Sequence, residues 1–149
     1  VEVNEWRPKE DINRVYKFLW KYANENKDFV TDPDDNRVRK ALADSVLDRD
    51  LVVIAEDNEG TIRGILMTRK TKQWWSGKET IYNLVWYVEK PYRSLKLFRS
   101  FLDKAKKYAK INELSLTIEM PFTFDKTDKL EKAMNRFGFD KVGGLFKHG

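Results

Sequence analysis

Three residues with the right types for chemistry lie together near the middle of the chain: Arg93, Ser94 and Lys96. They fall between a run rich in β-branched and aromatic residues, 80–88, and an apolar series at helical spacing, Leu95, Phe98, Leu102, Ala105 and Ala109. The first pattern predicts a strand. The second predicts an amphipathic helix, with Pro91 breaking the chain between them. Ser94 is placed to cap that helix through its hydroxyl. A helix start offers N–H groups that lack intrahelical acceptors, together with a partial positive charge. Residues 94–98, with the full charges of Arg93 and Lys96, therefore form a candidate anion site. The plain alternative is a solvated helix start beside an ordinary core strand.

Other chemistries are excluded by composition. The chain has no Cys, which rules out disulfides, thiolate zinc sites and a cysteine nucleophile. Its one His, His148, is next to the last residue, so neither a serine–histidine relay nor a multi-histidine metal site is expected. Trp74 and Trp75 stand in a lysine-rich segment, 70–78, that reads as a loop. Adjacent residues of an extended segment point to opposite faces. If the segment is extended, one Trp can be core and the other exposed; Trp74 and Trp75 are the candidate surface for an acceptor or a partner. A hairpin lid over the core is the alternative.

The elements that must position these residues follow from periodicity. Residues 1–6 alternate as a short strand that Pro8 ends, and Ile12, Val15, Phe18, Leu19 and Tyr22 mark a first helix. A second helix starts around residues 31–35 and is carried by Val38, Leu42 and Val46 to about Leu47. Residues 51–55 form a compact strand, 57–60 a turn, and 61–68 a strand that pairs back as a hairpin. After the central strand and helix, residues 113–120 read as another strand, with Leu114, Leu116 and Ile118 on one face and Pro121 ending it. A last helix begins at 125–128, passes through Leu130, Ala133 and Met134, and stops at Phe137-Gly138-Phe139. Residues 142–146 close the pattern as a strand. The order β-α-α-β-β-β-α-β-α-β predicts an α/β fold with antiparallel and parallel parts.

The chain's 149 residues suit a single domain, 1–149, with one sizeable core. Hydrophobic residues make up 41 % of it, which argues against disorder. The net charge is +5, with the excess between Arg63 and Lys110. That excess fits a phosphate-bearing ligand, an acidic partner or simply a solvated surface. No zinc-finger or RNP pattern accompanies it, so nucleic acid is not the expected partner. No apolar run approaches the roughly 20 residues of a membrane span, and no signal-peptide pattern opens the chain. A cytoplasmic protein with no membrane partner is the expectation.

The order of elements resembles that of the GNAT acyltransferase superfamily over nearly the whole chain. Two local landmarks carry the resemblance. Val88-Glu-Lys-Pro-Tyr-Arg93 is similar to the family's strand exit, and the helix after it corresponds to the family's pyrophosphate-binding helix. Ala133-Met-Asn-Arg-Phe-Gly-Phe139 is similar to the segment where the last helix runs into a Gly-Phe pair. The resemblance implies a mixed sheet of about six or seven strands flanked by about four helices. It also implies that strands 82–88 and 114–120 are parallel neighbours that splay, with acetyl-CoA entering the gap.

The same resemblance implies an N-acyltransferase that moves an acetyl group from acetyl-CoA to an amine on a small molecule or protein. The backbone of Tyr87 and Val88 would hold the pantetheine like an added strand. The N–H groups of Ser94, Leu95, Lys96, Leu97 and Phe98, helped by Arg93, would hold the pyrophosphate. Glu79 and Glu119 are the candidate bases, and Tyr92 and Tyr108 the candidate proton donors. The loop departs from the family, however. Lys96 and Phe98 stand where small residues belong, and Met134 stands where many members carry a tyrosine acid. These departures support the alternative, a catalytically inactive GNAT-like module that binds a protein partner within an assembly.

Overall fold

The computed structural model describes residues 1–27, 30–119 and 127–143. Each of the first three helices begins where local chemistry stops the chain from being extended. Helix α1, Pro8–Glu25, has its proline at the first helical position, and the Arg7 N–H donates to the Asp11 carboxylate at 2.6 Å. Helix α2, Asp35–Leu47, is capped by Asp34, which accepts from the Arg37 N–H at 3.0 Å. Helix α3, Leu95–Ile111, is capped by Ser94, which accepts from the Leu97 N–H at 3.1 Å, as its sequence position predicts. A fourth helix, α4, spans Thr127–Arg136.

Five strands are present among the described residues: β1 Glu2–Glu5, β2 Val52–Glu56, β3 Ile62–Lys72, β4 Glu79–Val88 and β5 Ser115–Thr117. They lie in that order across one sheet, antiparallel from β1 to β4 and parallel between β4 and β5. The parallel pair is joined through α3, as the sequence order requires. Among the described residues the sheet has five strands, where the resemblance implies six or seven. The expected closing strand falls on residues 142–146, of which 142–143 are not in a strand and 144–146 lie outside the described residues.

Alternation along the strands builds two cores. Tyr87 faces α1 and α2, packing with Val15, Phe18, Leu19 and Leu42. Trp86 and Val88 face the other way, onto Phe98, Phe101 and Leu102 of α3 and Leu130 and Met134 of α4. With both faces covered, β2 reads as a continuous apolar run rather than an alternating one. Gly64 of β3 is the tightest point. A Cβ there would lie 3.1 Å from a methyl of Val88 and 3.3 Å from both the Phe101 ring and the Tyr87 carbonyl. Strand β3 also runs on to Lys72, so what reads as a loop at 70–78 is mostly the end of a long hairpin.

Ion pairs tie the layers together. The Arg63 guanidinium bridges Asp57 at 2.9 Å and Glu89 at 3.1 Å, linking the β2–β3 turn to the end of β4. Bonds from the Thr61 N–H and from Arg63 hold the Asp57 carboxyl below its usual range. Asp35 is held down by the Tyr16 hydroxyl and Arg39, and Asp44 by Lys40.

Two outcomes follow. Gly64→Val should lose about 1–3 kcal/mol in chemical denaturation, because the added methyls meet buried neighbours. Gly143→Ala, with open space around it, should leave stability unchanged. Because the three carboxyls have folded-state pKa values below their unfolded ones, their contribution is full above about pH 4 and is lost as pH falls through the folded values. The melting temperature should hold between pH 7 and pH 5 and drop on further acidification. A rise in that acid range would contradict the assignment.

Candidate active site

The site is built where β4 and β5 part. Backbone pairing between them covers only Thr80↔Ser115, Ile81↔Leu116 and Tyr82↔Thr117. At the next position a side chain replaces the ladder. Asn83 Nδ2 donates to the Glu119 carbonyl at 3.1 Å, and the Glu119 N–H donates to Asn83 Oδ1 at 2.7 Å. An amide side chain is longer than the backbone groups it replaces, so the strands diverge from this point. Immediately afterwards β4 bulges. Thr68 of β3 pairs with Asn83 while Met67 pairs with Val85, leaving Leu84 as an extra, exposed residue.

Beyond the bulge, one edge of β4 has no strand partner among the described residues. Which residues line that edge follows from the ladder. The Glu89 N–H donates to the Arg63 carbonyl at 2.9 Å, so Gly64 and Val88 are a non-hydrogen-bonded pair, and Tyr87 exchanges its backbone bonds with Ile65. The main-chain groups of Tyr87 therefore belong to the sheet, which corrects the sequence expectation for that residue. Those of Trp86 and Val88 face the open edge. The Val88 carbonyl is already engaged there, accepting from Arg93 Nε at 2.8 Å. Arg93 folds back on the strand end, its guanidinium 5.9 Å from the Tyr87 ring centre.

The start of α3 is partly open. Leu95 and Lys96, in its first turn, have no intrahelical acceptor for their N–H groups, and the Lys96 side chain is exposed. The Leu97 N–H is taken by the Ser94 hydroxyl and the Phe98 N–H by the Ser94 carbonyl at 3.0 Å. Leu97 and Phe98 are both buried. Phe98 stacks on Trp86 with ring centres 4.0 Å apart and planes 17° from parallel. The side chain at the family's second small position thus fills the space between α3 and β4. The Trp86 indole N–H is buried beside this stack without an acceptor among the described residues.

The other candidates separate. Glu119 is at the divergence itself, its backbone held by Asn83 and its side chain exposed. Glu79 is at the far end of β4, about 13 Å from Asn83 at strand rise, opposite Lys72. Tyr92 lies in the short 3-10 turn Lys90–Tyr92, with the Arg63 guanidinium 4.9 Å above its ring. Tyr108 is about 20 Å along α3 from the first turn, and its hydroxyl donates to the Arg49 carbonyl at 2.9 Å. Glu79 and Tyr108 are thereby removed from the gap, because the sheet and helix that carry them run away from it. Met134 is buried against the Trp86–Phe98 cluster. Trp74 and Trp75 are 89 % and 64 % exposed, so neither is core; they sit in a turn rather than an extended segment.

A cavity of about 1270 Å³ borders β5, lined by Lys106 and Lys110 of α3, Leu116 and Glu119 near β5, Met134 of α4 and residues 138–143. No residue of β4 or of the first turn of α3 lines it, although Glu119, at the divergence, does.

Sequence reasoning did not single out Asn83. Its signal was an Asn inside a β-branched and aromatic run, where Asn is disfavoured. Asn83→Ala should remove both bonds to Glu119 and cost about 1–2 kcal/mol. Hydrogen exchange of the Glu119 amide should speed up while the amides of β2 stay protected; equal loss everywhere would mean the pair is not a local joint.

No family model matches the chain, and no curated protein matches it. Solved structures do. A predicted acetyltransferase from Clostridium acetobutylicum, crystallised with acetyl-CoA, superposes with a TM-score of 0.73 at 14 % identity, over 99 % of this chain and 95 % of that one. Ribosomal-protein-alanine N-acetyltransferase from Brucella melitensis biovar Abortus gives 0.67 at 15 % identity, over 100 % and 99 %. An aminoglycoside 6'-N-acetyltransferase from Acinetobacter baumannii gives 0.67 at 8 %, over 99 % and 96 %. Element order, the parallel β4–β5 pair that parts at Asn83, and these near full-length superpositions agree: the chain has the fold of the GNAT acetyltransferase superfamily.

Proposed function

We propose that the protein is an acyl-CoA-dependent N-acyltransferase, taking acetyl-CoA as donor and an amine on a small molecule or protein as acceptor. The observation that supports it most is the divergence of β4 and β5 at Asn83 and Glu119, which leaves main-chain groups of Trp86 and the Val88 N–H on an open strand edge. An extended amide chain such as pantetheine suits that edge by strand addition. The first-turn N–H groups of Leu95 and Lys96, with the Lys96 ammonium, suit a pyrophosphate. Acetyl-CoA would supply the activated thioester. The protein's part is to hold the acceptor amine against it, with the exposed Glu119 carboxylate at the divergence as the candidate base.

A second reading has its own observation. The Phe98–Trp86 stack fills the family's close helix–strand approach, and buried Met134 has no proton to give. This favours a non-catalytic module that uses the fold to bind a protein partner.

Acetyl-CoA titration against the melting temperature separates the two. Ligand at about 100 times its Kd should add about 2.7 kcal/mol of stability. Lys96→Ala should weaken binding by about 1–2 kcal/mol. Turnover is expected to be slow, since general acid catalysis contributes about 10²–10⁴-fold and Met134 offers none. No shift at millimolar acetyl-CoA would give the protein to the second reading.

A further inference from the structure

The end of the sheet opposite the start of α3 gathers a surface apart from the β4–β5 gap. The β3–β4 hairpin ends there, with Trp74 and Trp75 at its turn, their rings edge to face at 5.6 Å. Three further contacts bring other elements to the same end. Thr80 pairs with Ser115, which places the α3–β5 junction beside the hairpin. Lys70 Nζ donates to the Asp48 carbonyl at 2.8 Å, which brings in the end of α2. The Tyr108 hydroxyl donates to the Arg49 carbonyl, which joins α3 to that same corner. Four large apolar side chains from three separate segments are exposed here: Leu47 at 78 %, Ile111 at 69 %, and the two tryptophans.

Charge surrounds them. Lys72 and Lys78 flank the tryptophans, and Lys107 and Lys110 lie in the last turns of α3; all four are exposed, and none is in an ion pair among the described residues. Arg49 and Lys70 add to them. Asp48, Glu79, Glu113 and Asp50, which lies 3.8 Å from Lys70, oppose them, and the balance at this end stays positive. Two such ends facing each other would set like charges together, which disfavours a second copy as the occupant. Aliphatic Leu47 and Ile111 offer nothing to stack on a base, which disfavours nucleic acid. The tryptophans project from a hairpin turn rather than lining a groove, a shape suited to a deformable partner. Trp beside Lys is the chemistry of the headgroup boundary of a bilayer.

We propose that this end docks peripherally on an anionic membrane surface, Trp74 and Trp75 entering the headgroup layer and the lysines meeting acidic lipid. The absence of a spanning segment bears on insertion, not on a contact of this kind.

The test is co-sedimentation of the whole chain with vesicles of phosphatidylcholine, with and without phosphatidylserine, at low and high salt, followed also by tryptophan emission. Binding only to phosphatidylserine vesicles, with a blue shift and loss at high salt, is expected. Trp74→Ser with Trp75→Ser should abolish the shift and the binding. Lys72→Glu with Lys78→Glu should weaken binding by at least about tenfold, with melting temperatures unchanged because all four positions are exposed. The proposal fails if the wild-type chain ignores anionic vesicles, binds neutral ones equally, or binds undiminished after the tryptophan changes. Binding of a single-stranded oligothymidylate in place of vesicles would assign the surface to nucleic acid instead. Acetyl-CoA binding is unaffected by either outcome.

Discussion

A single amide side chain decides the geometry of the whole site. By bonding both main-chain groups of Glu119, Asn83 takes over from the β4–β5 ladder after three residue pairs. Buried or half-buried backbone groups must find partners, so two strands can part only where something else takes over their bonds. The bulge at Leu84 then lets β4 keep its antiparallel pairing with β3 while its other edge turns to the gap. The open edge, the approach to α3 and the exposed Glu119 carboxylate all follow from that one substitution of side chain for backbone.

The interior beside the gap is built differently from the family pattern. Where small residues would let main chain close on a phosphate, Phe98 stacks on Trp86 and Met134 packs nearby. A stacked aromatic pair adds about 0.5–1.5 kcal/mol beyond its area burial, so these positions contribute to stability where glycines would cost it. What is left for a ligand is backbone and charge: the Trp86 and Val88 edge, two first-turn N–H groups and Lys96. The Arg93 side chain, folded onto the Val88 carbonyl, holds the strand exit to the start of the helix.

The two ends of the sheet divide the labour. Near the start of α3, charges are paired: Arg63 joins Asp57 to Glu89, and Lys21 also reaches Glu89. At the hairpin end, Lys72, Lys78, Lys107 and Lys110 make no ion pair among the described residues and surround exposed apolar groups. Paired charges hold elements in register, whereas unpaired ones act outward as a field.

Much of this was legible in the residues themselves. Helical spacing placed α1, α2 and α3, Ser94 announced its cap, and the order of elements required a parallel pair across α3. These are local or periodic properties, encoded by neighbours within a few positions. The residues' pairing was not legible. No spacing shows that Tyr87 spends its backbone on Ile65, since that depends on the register of β3 against β4. No local signal separates Glu119, at the divergence, from Glu79, a strand length away. Nor does the sequence say whether Trp74 and Trp75 alternate; the turn at 73–77 exposes both. The sequence by itself determined which segments are helix and strand. Tertiary structure alone decided which side chains meet, because strand register, the Asn83 joint and the Phe98–Trp86 stack join residues whose positions along the chain carry no mark of one another.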